Sequence, residues 1–502
     1  MFKAKPPLFH ATMAHTKTRS LLVLAPIVIG FVAFQLPAPD GLSPQGWRTA
    51  VLGMVMACFW MTEALPLAAT AFIPIVAFPL SGVANIDEVT QAYAHPLIFL
   101  FLGGFMLAAA MKRWELHSRI ALFALRLAGP KPDHQVFALM AATAFLSLWI
   151  SNTATAMVMM PIGLSIISAA QKNGRDAEGG VQHAPTAGSE TRPDNAFGSA
   201  LMLGIAYAAT IGGMGSLIGT PPNALLAGFV AETYGESIGF GQWMLLGVPI
   251  VLVLLPITWL LLTRIFFSLP QPVPGATQER SRLTPLSRSQ RIVAAVLLLT
   301  ACLWILRPLL PGRLGVIGLS DAGIAIGASV ILFMLPARFS DGHALLTWED
   351  LGALRWDVLI LFGGGLALAD AIRTSGLADW IGSGTSQLSD LPFAVLVLTM
   401  MVVVVYLGEL ASNTAMAAVF LPVAAAAAAG LGAPPLELIL PVALAASLGF
   451  MLPVATPPNA IVYGSGAVTA RQMLRAGAVL DVISIALVFI FALTLGPIVF
   501  RF

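Results

Sequence analysis

Charge is what this chain has least of. Aspartate, glutamate, lysine and arginine make up only 10% of the 502 residues while 58% are hydrophobic, too little polar surface to coat a soluble globule of that size. With a mean hydropathy of +0.88, the chain reads as an all-α polytopic membrane protein. Cysteine is nearly missing: Cys58 and Cys302 both lie in apolar stretches, so no disulfide framework is implied. The net charge of +2 and the lack of any dense Lys/Arg run argue against nucleic acid as a partner. The seven histidines (His10, His15, His95, His117, His134, His183 and His343) sit outside or at the rims of the apolar segments, leaving no base or metal cluster for an intramembrane enzyme. No G-x-x-x-x-G-K-[ST] sequence occurs, which argues against an ATP-driven pump, and no rings of charge mark a channel pore. The reading is a carrier rather than an enzyme, without a cofactor.

A spanning helix needs about 20 mostly apolar residues. Segments of this kind fall near 21–36, 48–63, 66–81, 93–111, 198–232, 241–267, 289–308, 318–337, 356–374, 434–464 and 475–500, about eleven transmembrane helices in all. Two further apolar stretches, near 135–170 and 391–430, are interrupted by polar residues and read as re-entrant hairpins. The first segment follows Lys3, Lys5, Lys17 and Arg19 without a small-residue cleavage site, and is taken as an uncleaved helix. Basic clusters at Lys112 to Lys131, Arg264 to Arg291, and Arg471 and Arg475 mark cytoplasmic loops. The stretches holding Asp87, Glu88, Glu232, Glu236, Asp379 and Asp390 alternate with them, as the positive-inside rule requires. This orientation puts the N-terminus in the cytoplasm and the C-terminus on the periplasmic or extracellular side of a cell inner membrane; Arg307 and Arg313 run against it.

What the chain does have is a duplicated set of polar breaks. Ser-Asn-Thr occurs at Ser151–Asn152–Thr153 and again at Ser412–Asn413–Thr414, 261 residues on. The same offset carries Phe101, Gly103 and Gly104 onto Phe362, Gly364 and Gly365. Thr-Pro-Pro-Asn occurs at Thr220–Asn223 and Thr456–Asn459, 236 residues apart. The 25 extra residues of the first half coincide with the polar stretch Gln171 to Asn195, read as a mobile cytoplasmic loop. Gly103 and Gly104 alone would mean no more than helix packing, but an ordered set of motifs at fixed offsets reads as a repeat. Five spans plus a hairpin in each copy turn the second upside down, the inverted repeat of secondary transporters. The organisation is then a tail and first helix at 1–47, a first repeat at 48–270 with its hairpin near 135–170 and a discontinuous helix near 198–232, a cytoplasmic linker at 271–288, and a second repeat at 289–502 with its hairpin near 391–430 and a discontinuous helix near 434–464.

Ser, Asn and Thr are favoured helix N-caps and Pro is favoured at the first helical position, so each cluster should start a half-helix, after Thr153, Thr220, Thr414 and Thr456. Four such starts aimed at one cavity, at about +0.5 charge each, supply on the order of +2 of fixed positive potential. That suits a dianion without any buried Arg or Lys. The free carbonyls and side-chain oxygens beside them make all-oxygen sites fit for a hard cation such as sodium. Among the intramembrane acids Glu63, Asp370 and Glu409, Glu409 beside the second cluster reads equally as a proton relay or as a carboxylate held by hydrogen bonds in the hairpin. Ser216, in Gly-Met-Gly-Ser, is weak as a nucleophile; Trp60, Trp114 and Trp149 read as interfacial or packing side chains, and Ala424 to Ala429 as close helix packing.

At these motifs the chain resembles the divalent anion/sodium symporter (DASS) family over nearly its whole length. The stretch from Ala446 to Val462, which contains Leu452–Pro453–Val454–Ala455–Thr456–Pro457–Pro458–Asn459, fits that family's signature, as do both Ser-Asn-Thr motifs and Thr62–Glu63–Ala64–Leu65–Pro66. The resemblance implies eleven spans, two hairpins, a homodimer and an elevator motion of a transport domain against a dimeric scaffold. It implies one sodium among Ser147, Ser151, Asn152 and Gly219, and a second among Gly408, Ala411, Asn413 and Ala455, where Gly408 lacks the hydroxyl of its counterpart Ser147. It implies substrate contacts at Ser151, Asn152, Thr153, Ser412, Asn413, Thr414, Thr456 and Pro457. The expected activity is sodium-coupled import of C4-dicarboxylates such as succinate, malate or fumarate. A sodium-independent dicarboxylate exchanger and a sulfate or citrate symporter stand as alternatives.

Overall fold

A computed structural model of the protein describes residues 9–177, 196–269, 285–307, 318–337, 343–385 and 390–501. Among these residues the chain is helical, with no strand and a single isolated bridge between Pro336 and Ala344. In the first half the helices are α1 (Phe9–Gln35), α2 (Pro44–Thr62), α3 (Leu67–Ala71), α4 (Ile73–Ser81), α5 (Ile86–Ala92), α6 (Pro96–Arg113), α7 (Leu116–Ala128), α8 (Pro132–Ser147), α9 (Asn152–Ala177), α10 (Ala196–Gly213), α11 (Pro221–Tyr234) and α12 (Phe240–Leu260), whose last turn widens to a π-helix over Leu261–Phe266. In the second they are α13 (Arg288–Leu306), α14 (Asp321–Met334), α15 (Trp356–Thr374), α16 (Leu377–Thr385), α17 (Phe393–Gly408), α18 (Asn413–Gly430), α19 (Leu436–Ala445), α20 (Pro457–Gly464) and α21 (Ala470–Phe500).

Each apolar segment of the sequence falls on a helix or a consecutive helix pair. By length and composition, seven helices among the described residues can cross a membrane: Ile86–Arg113, Asn152–Ala170, Ala196–Gly213, Phe240–Phe266, Arg288–Leu306, Asn413–Gly430 and Ala470–Phe500. The pair α15 and α16, bent by 73°, makes an eighth if it is one span. Fewer than eleven pass because several expected crossings give helices that are too short, Leu67–Ser81 and Asp321–Met334 among them, while two of the seven, Asn152–Ala170 and Asn413–Gly430, are the second arms of the expected hairpins. The expected loop at Gln171 to Asn195 begins later than its polarity implies, since α9 continues to Ala177, and residues 178–195 lie outside the described set. The linker at 271–288 lies outside it as far as residue 284; Ser287 then caps α13 by accepting from Gln290 N at 3.2 Å. Arg313 is also outside the described residues, whereas Arg307 pairs with Asp321 at 3.2 Å, which neutralises a cation the positive-inside rule would not place there.

Burial is inverted relative to a soluble protein. Every residue of α10 from Phe197 to Gly213 is buried, with α8, α9, α12 and α20 packed around it. Large apolar side chains cover the outside instead, Leu22, Leu298, Ile490 and Ile498 among them, a surface suited to lipid rather than water. Trp60 is fully buried and donates to Leu67 O at 3.2 Å, Trp114 donates to Leu345 O at 2.8 Å and Trp149 stacks on Phe240, so all three are packing residues. Within the alanine run, Ala426 O comes 3.0 Å from where a Cβ on Gly382 of α16 would sit, and the run permits that close approach.

The equivalent motifs of the two halves make equivalent contacts. A Cβ on Gly103 of α6 would lie 2.5 Å from the Ala325 Cβ of α14, and one on Gly364 of α15 would lie 2.6 Å from Ala71 O of α3. In both cases the missing side chain lets two helices cross in contact. The equivalent phenylalanines meet each other: the Phe101 and Phe362 rings stand edge to face with centroids 4.9 Å apart, a geometry worth about 0.5–1.5 kcal/mol beyond burial. Gly364→Ala is therefore expected to destabilise the protein by about 1–3 kcal/mol through overpacking. Gly327→Ala on α14, with nothing within 4 Å of its new methyl group, should be neutral or stabilising by up to about 1 kcal/mol. Thermal unfolding in detergent measures both; a Gly364→Ala protein as stable as wild type would mean the crossing is looser than described.

Candidate functional site at four helix breaks

Four helix breaks face one another at the middle of the molecule, and each is built by local chemistry. Between α8 and α9 the chain is irregular from Leu148 to Ser151, and Ala154 N donates to Ser151 Oγ at 3.4 Å, so serine caps α9. Ser412 occupies the same place before α18. Both helices thus begin at the asparagine, not after the threonine as expected, because serine, the better cap, comes first. Thr220 and Thr456 precede α11 and α20 in extended conformation with proline at the first helical position, and Thr456 Oγ1 accepts from Asn459 N at 3.4 Å. The expected starts after these two threonines are the observed ones.

Unwinding a helix in an apolar body strands backbone carbonyls, and those need partners. The asparagine ending each Thr-Pro-Pro-Asn motif supplies one. Asn223 Nδ2 donates to Gly213 O at 3.1 Å and Ser216 O at 2.7 Å; Asn459 Nδ2 donates to Gly449 O at 3.3 Å and Leu452 O at 3.0 Å. These carbonyls are related by the 236-residue offset, so the two asparagines do the same work, and both are fully buried.

A clip joins each unwound segment to its neighbouring Ser-Asn-Thr turn, again at equivalent positions but with the chemistry reversed. In the first half the Ser216 hydroxyl donates to Leu148 O and accepts from Gly219 N at 3.1 Å, which engages this hydroxyl structurally. In the second half the side chain comes from the turn: the Glu409 carboxylate accepts from Met451 N at 2.9 Å and Leu452 N at 2.8 Å. Of the other intramembrane acids, Asp370 is paired with Arg373, while Glu63 is turned to the central cavity.

That cavity, about 410 Å³, is lined by all four clusters: Ser151, Asn152 and Thr153; Gly219, Thr220 and Pro221; Ser412, Asn413 and Thr414; and Ala455, Thr456 and Pro457. Ser147, Gly408 and Ala411, from the expected cation sets, are not on its wall. Ser147 is fully buried behind it and donates to Ala209 O at 2.6 Å, and the Gly408 carbonyl accepts from Ala411 N at 3.3 Å. Oxygen gathers around Asn152. As placed, Asn152 Oδ1 lies 2.9 Å from Ser147 Oγ and 3.1 Å from both Gly219 O and Ala209 O, an arrangement that turning the amide over would convert into donation from Nδ2. Turned that way, the amide nitrogen braces three oxygens beside the first turn, Ser147 Oγ, Gly219 O and Ala209 O. Asn413 Oδ1 is buried with no hydrogen-bond donor. Glycine at the equivalent positions 213 and 449 makes room, since a Cβ on Gly213 would collide with the Asn152 amide and one on Gly449 would lie 3.7 Å from Asn413 Oδ1.

The Thr220 cluster was expected to aim at this cavity, but Thr220 and Pro221 were not among the named contacts; they join their second-half equivalents on it, and Phe101, Arg355, Asp357 and Val454, which the sequence reading missed, also line it. The motif Thr-Pro-Pro-Asn was the available signal for the first pair. Arg355 and Asp357 carried none, because only the packing of α15 brings them to the cavity. They hold each other, Arg355 Nε to Asp357 Oδ1 at 2.9 Å and Nη2 to Oδ2 at 2.8 Å, so the cavity does contain an arginine but its charge is matched.

The model of the sodium:sulfate symporter transmembrane region matches residues 17–502. The sodium-dependent dicarboxylate transporter SdcS of Staphylococcus saprophyticus subsp. saprophyticus is 40% identical over 487 residues, which cover 95% of this chain and 91% of that protein. SdcS of Staphylococcus aureus is 39% identical over 485 residues, with the same coverage. Among solved structures, the Alcanivorax borkumensis YdaH transporter aligns with a TM-score of 0.56 at 14% identity, over 97% of this chain and 98% of that one. MtrF of Neisseria gonorrhoeae aligns with a TM-score of 0.54 at 13% identity, over 95% of each chain. At those identities the likeness is one of fold.

The two asparagine braces give a direct test. Asn223→Ala and Asn459→Ala each leave buried carbonyls without a donor, and each should cost about 1–3 kcal/mol of stability. Asn→Asp, which cannot donate when ionised, should not rescue either. Thermal unfolding of the purified variants reads this out; wild-type stability in both alanine variants would show that the carbonyls are held by something else.

Proposed function

The chain belongs to the sodium:sulfate symporter family, the divalent anion/sodium symporter family its motifs resemble, and from that premise we propose that it imports C4-dicarboxylates such as succinate, malate or fumarate together with sodium. The observation that carries the reading is the meeting of four capped helix starts on one cavity. Helix N-termini present unpaired N–H groups and partial positive charge, and Arg355 is already matched by Asp357, so the helix starts are the uncommitted positive potential available to a dianion. Ser151, Asn152 and Thr153 would take one carboxylate and Ser412, Asn413 and Thr414 the other, with Thr456 and Pro457 closing the site. The relatives named sodium-dependent dicarboxylate transporters favour the same substrate class.

Sodium would bind behind the substrate, one ion among Ser147, Ser151, Asn152 and Gly219 and a second among Gly408, Ala411, Asn413 and Ala455. The three oxygens gathered beside Asn152 and the unpartnered Asn413 oxygen favour these positions. Because Gly408 has no side-chain oxygen, its contribution would be a backbone carbonyl. Each ion would shape the same turns that hold the anion, so cation and anion would strengthen each other's binding, and by linkage to the same degree. Transport would proceed by an elevator motion in a homodimer with inverted repeats, in a cell inner membrane, N-terminus cytoplasmic and C-terminus outside. The family's own description names sulfate, and sulfate is the second reading.

Uptake of radiolabelled succinate into liposomes holding the purified protein tests this. An inward sodium gradient should drive accumulation, excess sulfate should not compete, and Asn152→Ala and Asn413→Ala should each lower uptake by about tenfold or more, the loss of a hydrogen bond to a charged group, while eluting as folded protein. Uptake that needs internal dicarboxylate but not sodium would make the protein an exchanger, and sodium-driven sulfate uptake would replace the substrate.

A further inference from the structure

The second unwound segment, from Ala446 to Ala455, is pressed between two acids that do not line the cavity. Glu409 is 3% exposed and Asp481, on α21, is completely buried. Glu409 spends one lone pair of each oxygen on Met451 N and Leu452 N. Asp481 faces Glu409 and the Phe450 amide from the other side. One turn earlier on α21, Gly477 is what lets Phe450 come so close, since a Cβ there would collide with the Phe450 carbonyl. Neither Asp481 oxygen has a hydrogen-bond donor, and the Ser484 hydroxyl, three residues along the same helix face and fully buried, has no partner either.

No cation answers these acids. Among the described residues no ion pair includes Glu409 or Asp481. Two facing carboxylates in an apolar interior repel each other and lose hydration, a cost that is relieved either by a proton shared between them or by a cation bound beside them. The donors are all oxygen, the preference of a hard cation; among the described residues no group of three or more His, Cys, Asp or Glu is placed to hold a metal ion, so the pair and its neighbouring hydroxyl are the side-chain donors offered here. The first half has no such feature, because Leu148 stands where Glu409 stands in the second.

We propose that Glu409, Asp481 and Ser484 form a further sodium site, on the side of the unwound segment away from the substrate cavity. A single sodium there leaves the pair with one net negative charge, which the Met451 and Leu452 amides already stabilise. It bridges the turn before α18 to α21 across the segment that carries Ala455 and Thr456, and so favours the second cluster in its loaded geometry. The inference rests on the proposed sodium-coupled transport and adds one coupling ion to it.

Equilibrium binding of radiolabelled sodium to the purified full-length protein without substrate tests the site directly. Asp481→Asn and Glu409→Gln should each bind one ion fewer per chain than wild type, Asp481→Glu should restore the count, and the sodium-to-succinate ratio from reversal potentials in liposomes should fall by one in Asp481→Asn. An unchanged count in both neutral variants would overturn the proposal, as would an unchanged count together with inward proton movement that Asp481→Asn abolishes. If neither variant folds, infrared carboxylate bands of the wild type decide. They should shift when sodium replaces choline, because the other cation positions hold amides, hydroxyls and carbonyls, and no shift would sink the site. Should succinate uptake prove independent of sodium, the proposed function would fall while the equilibrium count would still decide this site.

Discussion

Backbone unwound inside an apolar body must find partners for its amides and carbonyls, and the structure is organised around meeting that demand four times. At two breaks the demand falls on an asparagine, Asn223 or Asn459, whose amide is turned inward onto the carbonyls that helix geometry left behind. At the other two a serine starts the following helix. Once braced, the same breaks leave other N–H groups and oxygens pointing into a shared cavity. The site is therefore what remains after the fold has satisfied itself, and a rigid brace behind each turn holds those remaining groups in register without spending them.

The two halves resemble each other in position more than in chemistry. Glycines 103 and 364 admit equivalent helix crossings, and Asn223 and Asn459 make equivalent bonds. The clip between turn and unwound segment, however, is a neutral hydroxyl at Ser216 on one side and a carboxylate at Glu409 on the other. Ser147 brings a hydroxyl to its site where Gly408 can offer only a carbonyl. The two proposed sodium positions would thus differ in charge and in ligands, and would bind the same cation with unequal affinity.

The breaks were legible in the sequence because capping chemistry is local: Ser, Asn, Thr and Pro carry the signal wherever the chain goes, and the apolar segments between them each fall on helices. The starts at Asn152 and Asn413 came two residues early because serine outranks threonine as a cap. Length misled where apolarity did not, since an uninterrupted hydrophobic stretch such as 66–81 is divided in the structure without any loss of hydropathy to announce it, and polarity misled at Gln171, where α9 carries on to Ala177. Arg355 and Asp357 on the cavity wall were invisible because they are brought in by packing between distant helices rather than by any spacing along the chain; Asp481 carried the signal of an acid inside the apolar segment 475–500, but only packing sets it opposite Glu409. Of the two readings open for Glu409, the hydrogen-bonded carboxylate is the one whose partners can be named.

The central claim is that the two Ser-Asn-Thr turns grip a single dianion from opposite ends. A density map of the protein in lipid, collected with succinate and sodium, measures this most directly. The account predicts one elongated density in the cavity touching Asn152 at one end and Asn413 at the other. Succinate bound against only one of the two turns, or anywhere outside the cavity, would contradict it.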